Sequence, residues 1–356
     1  MSEIKPVVRI GFVGVGNMGQ MAHLRNYASL PECKVVALAE PRPELARRVA
    51  AKYEVPSVYP DAAAMLAGEQ LDALVAPQPF DRHGQLVAPL YQSGLPVLTE
   101  KPLASSPETG RKMLEALKAG GSWHMVGYHK RSDPAVVYAK AEIERLKSTG
   151  ELGSLRYVRI QMAGGDWIAG GFNELITSDE PVPPLAADPI PAGMSPDEGG
   201  RYVSFVNFYI HQVNLLRYLL GESYRVTHAE PAGILFGAHS ASGVPGVIEM
   251  GPFSTSRSWQ EYALVCFERG WIQIDLPAPV SLNRPGKVTV FRDGPTDPDP
   301  QTLVPDLPWE HAMRGQARNF IRAVRGEIPP MCGAEEALED LDVALDYMRL
   351  LKESRS

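Results

Sequence analysis

The chain has 356 residues, 44% hydrophobic and 22% charged, a composition that excludes disordered, collagen-like and coiled-coil proteins and, at about 150 residues per domain, points to two domains. Lys and Arg total 35 against 42 Asp and Glu, a net charge of −7, and no basic block offers contacts to phosphates, so no nucleic-acid partner is expected. The longest uncharged stretch, residues 231–248, is broken by glycines and prolines and does not read as a membrane span.

In chain order, residues 7–13 form a short β-branched run that reads as a strand, 17–30 as a helix, 34–39 as a second strand and 43–52 as a second helix. Residues 71–76 and 96–99 read as further buried strands, with a helical stretch at 83–93 between them. Strands separated by helices of this length pair in parallel through right-handed crossovers, so the amino-terminal domain is expected to be α/β. After about residue 150 the pattern changes to strands at 155–163, 225–236, 261–268, 271–276 and 287–292, with a tight turn at Arg269-Gly270, which predicts a mostly antiparallel second sheet. Residues 166–200, with six prolines, and 295–308, with five, resist assignment and read as lids or binding loops, with disorder as the alternative. Residues 310–352 are helical with a break at 326–333, and no internal repeat is present. The expected division is 1–130 and 131–356, with the proline-rich insertion at 166–200 and the final helices inside the second domain.

The first residues, Met-Ser-Glu-Ile-Lys-Pro, lead into the first strand with no apolar leader. Cys33, Cys266 and Cys332 are odd in number and lack paired spacing, which fits small core residues in a reducing, cytoplasmic compartment and no metal site.

Gly14-Val15-Gly16-Asn17-Met18-Gly19 follows a strand and opens a helix, the context in which a GxGxxG pattern binds a dinucleotide. Gly14 permits the tight turn, Gly16 lets the backbone approach a pyrophosphate, Gly19 allows close helix packing, and the helix N-terminus favours the anion. Glu40 ends the second strand, 21 residues after Gly19, where a carboxylate accepts a ribose 2′-hydroxyl and repels a 2′-phosphate. NAD is therefore expected, with NADP possible because Arg42 could pair with that phosphate.

Glu100-Lys101-Pro102 after the 96–99 strand, Val126-Gly127-Tyr128-His129-Lys130-Arg131 with Asp133-Pro134, and Gly199-Gly200 leading to His211 and Leu215 to Gly221 resemble the Gfo/Idh/MocA oxidoreductases, named for glucose–fructose oxidoreductase and inositol dehydrogenase. The resemblance implies a Rossmann domain, a second α+β domain with a large, mostly antiparallel open sheet used for homo-oligomerisation, and a sugar, glycoside or polyol substrate. It implies that Lys101 is the catalytic lysine, which hydrogen-bonds the reacting oxygen, and that Glu100, Gln78, Pro79 and His83 lie beside the cofactor. His211 fits the acid/base histidine, suited to moving the hydroxyl proton near neutral pH.

A helix over 204–220 puts Asn207, His211 and Asn214 on one face. Asn207 departs from the family, in which many members carry Asp there and again at the position of Asn214, and an amide does not stabilise an imidazolium as a carboxylate does. His129 departs too, the family commonly having Asn. Lys130 and Arg131 could receive an anionic substrate group, Trp167 could stack on a sugar face, and Asp166 or the Asp197-Glu198 pair could supply the carboxylate that Asn207 lacks. Two other functions remain open at this point: a redox-assisted glycoside hydrolase with tightly bound NAD, and a non-catalytic dinucleotide sensor.

Overall fold

The computed structural model describes residues 6–294 and 299–355, so part of the proline-rich stretch 295–308 lies outside the described residues. The chain divides into two compact units, one of Met1–Tyr128, Gly171–Gly199 and Met313–Leu341, the other of His129–Gly170, Gly200–Ala312 and Asp342–Ser356. This departs from a single boundary at 130: most of the insertion groups with the first unit because its backbone is hydrogen-bonded to Gln20, Arg25, Arg48 and Arg82.

In the first unit β1 (Val8–Val13), β2 (Cys33–Ala39), β3 (Ser57–Tyr59), β4 (Ala73–Ala76), β5 (Val97–Thr99) and β6 (His124–Val126) form a parallel sheet in the order β3-β2-β1-β4-β5-β6. Strands buried on both faces read as continuous apolar runs, which made β1, β2, β4 and β5 visible in the sequence. The three-residue strands β3 and β6 carry no such run. The stretch 83–93 is helical in two pieces, an α-turn His83–Leu86 and a 3-10 turn Ala88–Ser93, since Pro89 has no N–H to continue the α ladder. Phe320, from the helix Ala312–Val324, packs edge-on against Tyr27, which meets Phe12 the same way, so the late segment supplies a wall of the core.

The second unit carries β7 (Leu155–Gly164), β8 (Tyr224–Ala229), β9 (Leu235–Ser240), β10 (Pro245–Ser254), β11 (Glu261–Phe267), β12 (Gly270–Asp275), β13 (Lys287–Arg292) and β14 (Gln301–Leu303). Their order is β14-β13-β12-β11-β7-β10-β9-β8, antiparallel except where β10 lies beside β7. The expected strand 225–236 is instead a hairpin of β8 and β9, because Pro231 and Gly233, with φ 77°, turn the chain between them. One face of this sheet is buried through Ile160, Val265, Ile272 and Val290, while Tyr157, Tyr262, Leu264, Trp271 and Phe291 are half-buried on the other.

The helix expected over 204–220 is also two, Pro196–Phe208 and Ile210–Leu220, joined at Tyr209 with φ −107° and ψ −2°. Asn207 is the last but one residue of the first helix and exposed, His211 is the second residue of the next and half-buried, and Asn214 is buried. Cys33 and Cys332 are buried, Cys266 is partly so, and all three are free thiols; burial pushes the Cys33 thiol up to about 12. No helix among the described residues is long and apolar enough to cross a membrane.

Candidate active site

The turn after β1 is built on glycine. Gly14 has φ 91°, a conformation that costs other residues strain, and a Cβ there would collide with the Gln78 side chain. A Cβ at Gly19 would sit 2.7 Å from the Gly14 carbonyl oxygen, so the helix approaches the strand this closely only because residue 19 is glycine. At Gly16 a Cβ would meet nothing within 4 Å. The open space beside that backbone is what a pyrophosphate needs, and the turn fits a dinucleotide. Asn17 is exposed and Met18 half-buried at the entry to the helix.

Around this turn most of the polar groups are held by backbone. Glu40, 3% exposed at the end of β2, accepts a hydrogen bond from Val15 N at 3.0 Å, which ties the tip of β2 to the glycine turn. Arg42 grips both Glu40 oxygens, Nε at 2.6 Å and Nη2 at 3.1 Å, and that bond is the main reason its pKa is raised. Gln78 Nε2 donates to Val13 O at 2.6 Å, so the turn at Gln78-Pro79 braces β1. The His83 ring nitrogens lie 2.9 Å from Leu103 O and 3.0 Å from Gln78 O, linking the segment after β4 to the loop that carries Lys101; burial outweighs these contacts and lowers the His83 pKa.

Glu100, Lys101 and Pro102 follow β5, with the Lys101–Pro102 peptide cis. Glu100 Oε1 is 2.7 Å from His23 Nε2, and Oε2 accepts from Lys101 N at 3.3 Å. Burial alone would raise the Glu100 pKa, but the His23 bond and the charges of His23 and Lys101 outweigh it and hold the carboxyl below its usual range. His23 stands four residues after Gly19, a helical spacing that marks it as a neighbour of the motif, although the sequence reading did not single it out.

In the second unit the polar groups hold one another. The His129 and His211 rings meet edge to face, centroids 4.5 Å apart at 78°. Lys130 Nζ lies 2.6 Å from Glu261 Oε2 with both side chains almost fully buried, and Gln212 Nε2 donates to the other Glu261 oxygen at 2.6 Å. Arg131 Nε donates to Asn214 Oδ1 at 2.6 Å while its guanidinium lies over the Tyr218 ring. Lys130 and Arg131 are therefore engaged with protein groups and not open to an anionic substrate as the sequence suggested, and the Asn214 side chain is engaged by Arg131. Glu261 and Gln212 were missed because their partners are 131 and 49 residues distant, and no spacing rule reaches so far.

The residues of the insertion's ends are also engaged locally. Asp166 Oδ1 accepts from Ile168 N and Ala169 N, closing its own turn, and Glu198 Oε2 accepts from Ser195 N. Trp167 is 39% exposed and its carbonyl accepts from Val280 N at 3.1 Å. Lys101 belongs to the first unit and His211, Asn207 and His129 to the second.

Residues 8–128 match the family described as an oxidoreductase family with an NAD-binding Rossmann fold, Gfo/Idh/MocA. That region is similar to the Gfo/Idh/MocA oxidoreductases. Among similar proteins is a scyllo-inositol 2-dehydrogenase (NAD(+)) of Bacillus subtilis, 29% identical over 215 residues, 60% of this chain and 54% of that protein. A levoglucosan dehydrogenase of Pseudarthrobacter phenanthrenivorans is 30% identical over 172 residues, 46% of this chain and 42% of its own. The matched region thus spans about half the length of these relatives. The fold is similar to that of an aldose-aldose oxidoreductase from Caulobacter crescentus, at TM-score 0.70, 18% identity and 98% of each chain. The Gfo/Idh/MocA resemblance drawn from Glu100-Lys101-Pro102 and the glycine motif is thereby established, as is the α/β class with a parallel Rossmann sheet followed by a large, mostly antiparallel one.

Proposed function

We propose that the protein is an NAD-dependent dehydrogenase, with NADP as the lesser alternative, acting on a hydroxyl-bearing carbon of a sugar, glycoside or polyol. The observation that carries this reading is the unfilled space at Gly16 beside Glu40 at the tip of β2, a cradle suited to a dinucleotide's pyrophosphate and ribose. NAD, when bound, supplies the hydride acceptor. In this reading the Lys101 ammonium donates to the reacting oxygen and stabilises the charge that grows there as hydride leaves carbon. His211 takes the hydroxyl proton and returns it in the reverse direction, with Asn207 orienting it and His129 packed against its ring. The relatives' names, both dehydrogenases, support this over a glycoside hydrolase or a sensor.

The test is turnover with NAD over a panel of inositols, levoglucosan and aldoses. Lys101→Ala should abolish it and His211→Ala lower it by about 10²–10⁴-fold, the range for a lost general acid/base. Near-wild-type turnover in both variants would discard the site.

We also propose a homo-oligomer formed through the half-buried aromatic face of the β7–β13 sheet, a face that would otherwise be an association liability. A mass of 38.9 kDa by light scattering would remove that idea. The three free thiols support a cytoplasmic location, which cell fractionation tests.

A further inference from the structure

Between Gly171 and Ser195 the insertion forms no helix or strand, yet it is fastened to the first unit along its length. Gln20, one residue past the glycine motif, exchanges hydrogen bonds with both the N–H and the carbonyl of Ile176. Further on, Leu185 O accepts from Arg82 Nε, Asp188 accepts from Gly84 N, and Pro189 O accepts from Ser105 Oγ. These anchor points lie in the connections after β1, β4 and β5, along the carboxyl edge of the sheet, where open α/β sheets bind their ligands.

The strap meets the connection after β2 through Glu180. Its carboxylate accepts hydrogen bonds from Glu44 N at 3.0 Å and Leu45 N at 2.9 Å, and from Ser178 Oγ at 2.9 Å. Those amides open the helix Pro43–Tyr53, whose N-cap residue, Arg42, provides no side-chain cap and whose Pro43 has no N–H. The cap thus arrives from a residue 136 positions away. These two amide bonds and one hydroxyl bond lower the Glu180 pKa, the Glu44 amide most of all. Arg42, the residue that could have paired with a 2′-phosphate, is bound by both Glu40 oxygens and also feels the charge of Glu180.

A phosphate on the ribose 2′-oxygen needs donors near the tip of β2, and those present there, the first amides of this helix and the Arg42 guanidinium, are already satisfied by two carboxylates. A 2′-hydroxyl needs only an acceptor, which Glu40 is. We propose that Glu180 is a cofactor-specificity residue: with Glu40 it takes the positive groups that a 2′-phosphate would require and so favours NAD over NADP. This rests on the reading that the first unit binds a nicotinamide dinucleotide.

The experiment is calorimetric titration of the full chain with NAD and with NADP, for the wild type, Glu180→Gln and Glu180→Ser, with thermal melting to establish that each variant is folded. Glutamine keeps an oxygen to cap the helix and loses the charge; serine removes the charge with a different cap. The wild type should prefer NAD, and both variants should tighten NADP by about tenfold while NAD changes by less than about threefold. NAD binding that persists with an unchanged preference in the folded variants would overturn the role of Glu180 alone, as would a wild type that binds NADP as tightly as NAD. A wild type that binds neither dinucleotide would remove the underlying reading and the proposal with it.

Discussion

The surroundings of the glycine turn in the first unit and the His129–Ser132 segment of the second both hold charged side chains within the fold, and they do so by different means. In the first, backbone amides donate to the carboxylates, Glu44 and Leu45 to Glu180 and Gly84 to Asp188, and Glu40 takes one bond from Val15 beside the Arg42 guanidinium. In the second, side chains answer side chains, Lys130 with Glu261 and Arg131 with Asn214. Amides stay in place whatever side chains surround them, so the first arrangement tolerates substitution at its rim. A buried ion pair does not, because removing one member strands the other in a medium that penalises charge.

The difference can be broken at Glu261. Glu261→Gln should cost about 3–5 kcal/mol in denaturant unfolding, since it leaves the buried Lys130 ammonium without a counter-charge. The double change Lys130→Met with Glu261→Leu should cost less than that single one. If Glu261→Gln is neutral, the pair is not what holds the segment.

Asp133 sharpens the contrast, being a carboxylate of the second unit served by amides, from Ala135 and Gly286. Here burial wins and lifts its pKa from 3.8 to about 6. The folded state therefore binds more protons than the unfolded one between about pH 4 and 6, and this group's contribution falls as pH rises through that window, by about 3 kcal/mol. Asp133→Asn should flatten that part of the stability profile. A profile identical to wild type would mean that the amides are enough after all.

The smallest effect belongs to the first unit. Gly19→Ala should lower stability by about 1–3 kcal/mol, as its Cβ would press on Gly14 O, whereas Gly16→Ala should leave melting unchanged and weaken NAD. Equal melting of the two variants would show that the turn gives way more readily than its backbone contacts imply.

The same contrast explains what the sequence revealed. The glycine motif, Glu40 and the Glu100-Lys101-Pro102 step are local patterns with local causes, and they could be read at once. The expected strand at 225–236 hid a hairpin because its flanking β-branched residues outweighed Pro231 and Gly233 as turn signals. Glu180 and Glu261 could not be found, because each acts on a segment more than a hundred residues away and looks like any other acidic residue. Asn207 and His211 were placed on one helix because nothing at Tyr209 resembles a helix breaker; the break exists only in its backbone angles.

The three-part make-up of the first unit sets an order on its birth. Phe320 and Ile321 close the core around Phe12 and Tyr27, and Val126 N donates to Cys332 O beyond the sheet's last strand. A ribosome that has released only the first 128 residues has made the whole parallel sheet and none of these supports. The nascent Rossmann sheet must therefore wait, incompletely walled, until residues near 341 emerge, while the strands of the second sheet are synthesised in between. The usual sequence, in which an amino-terminal domain is finished before the next begins, is closed to this chain.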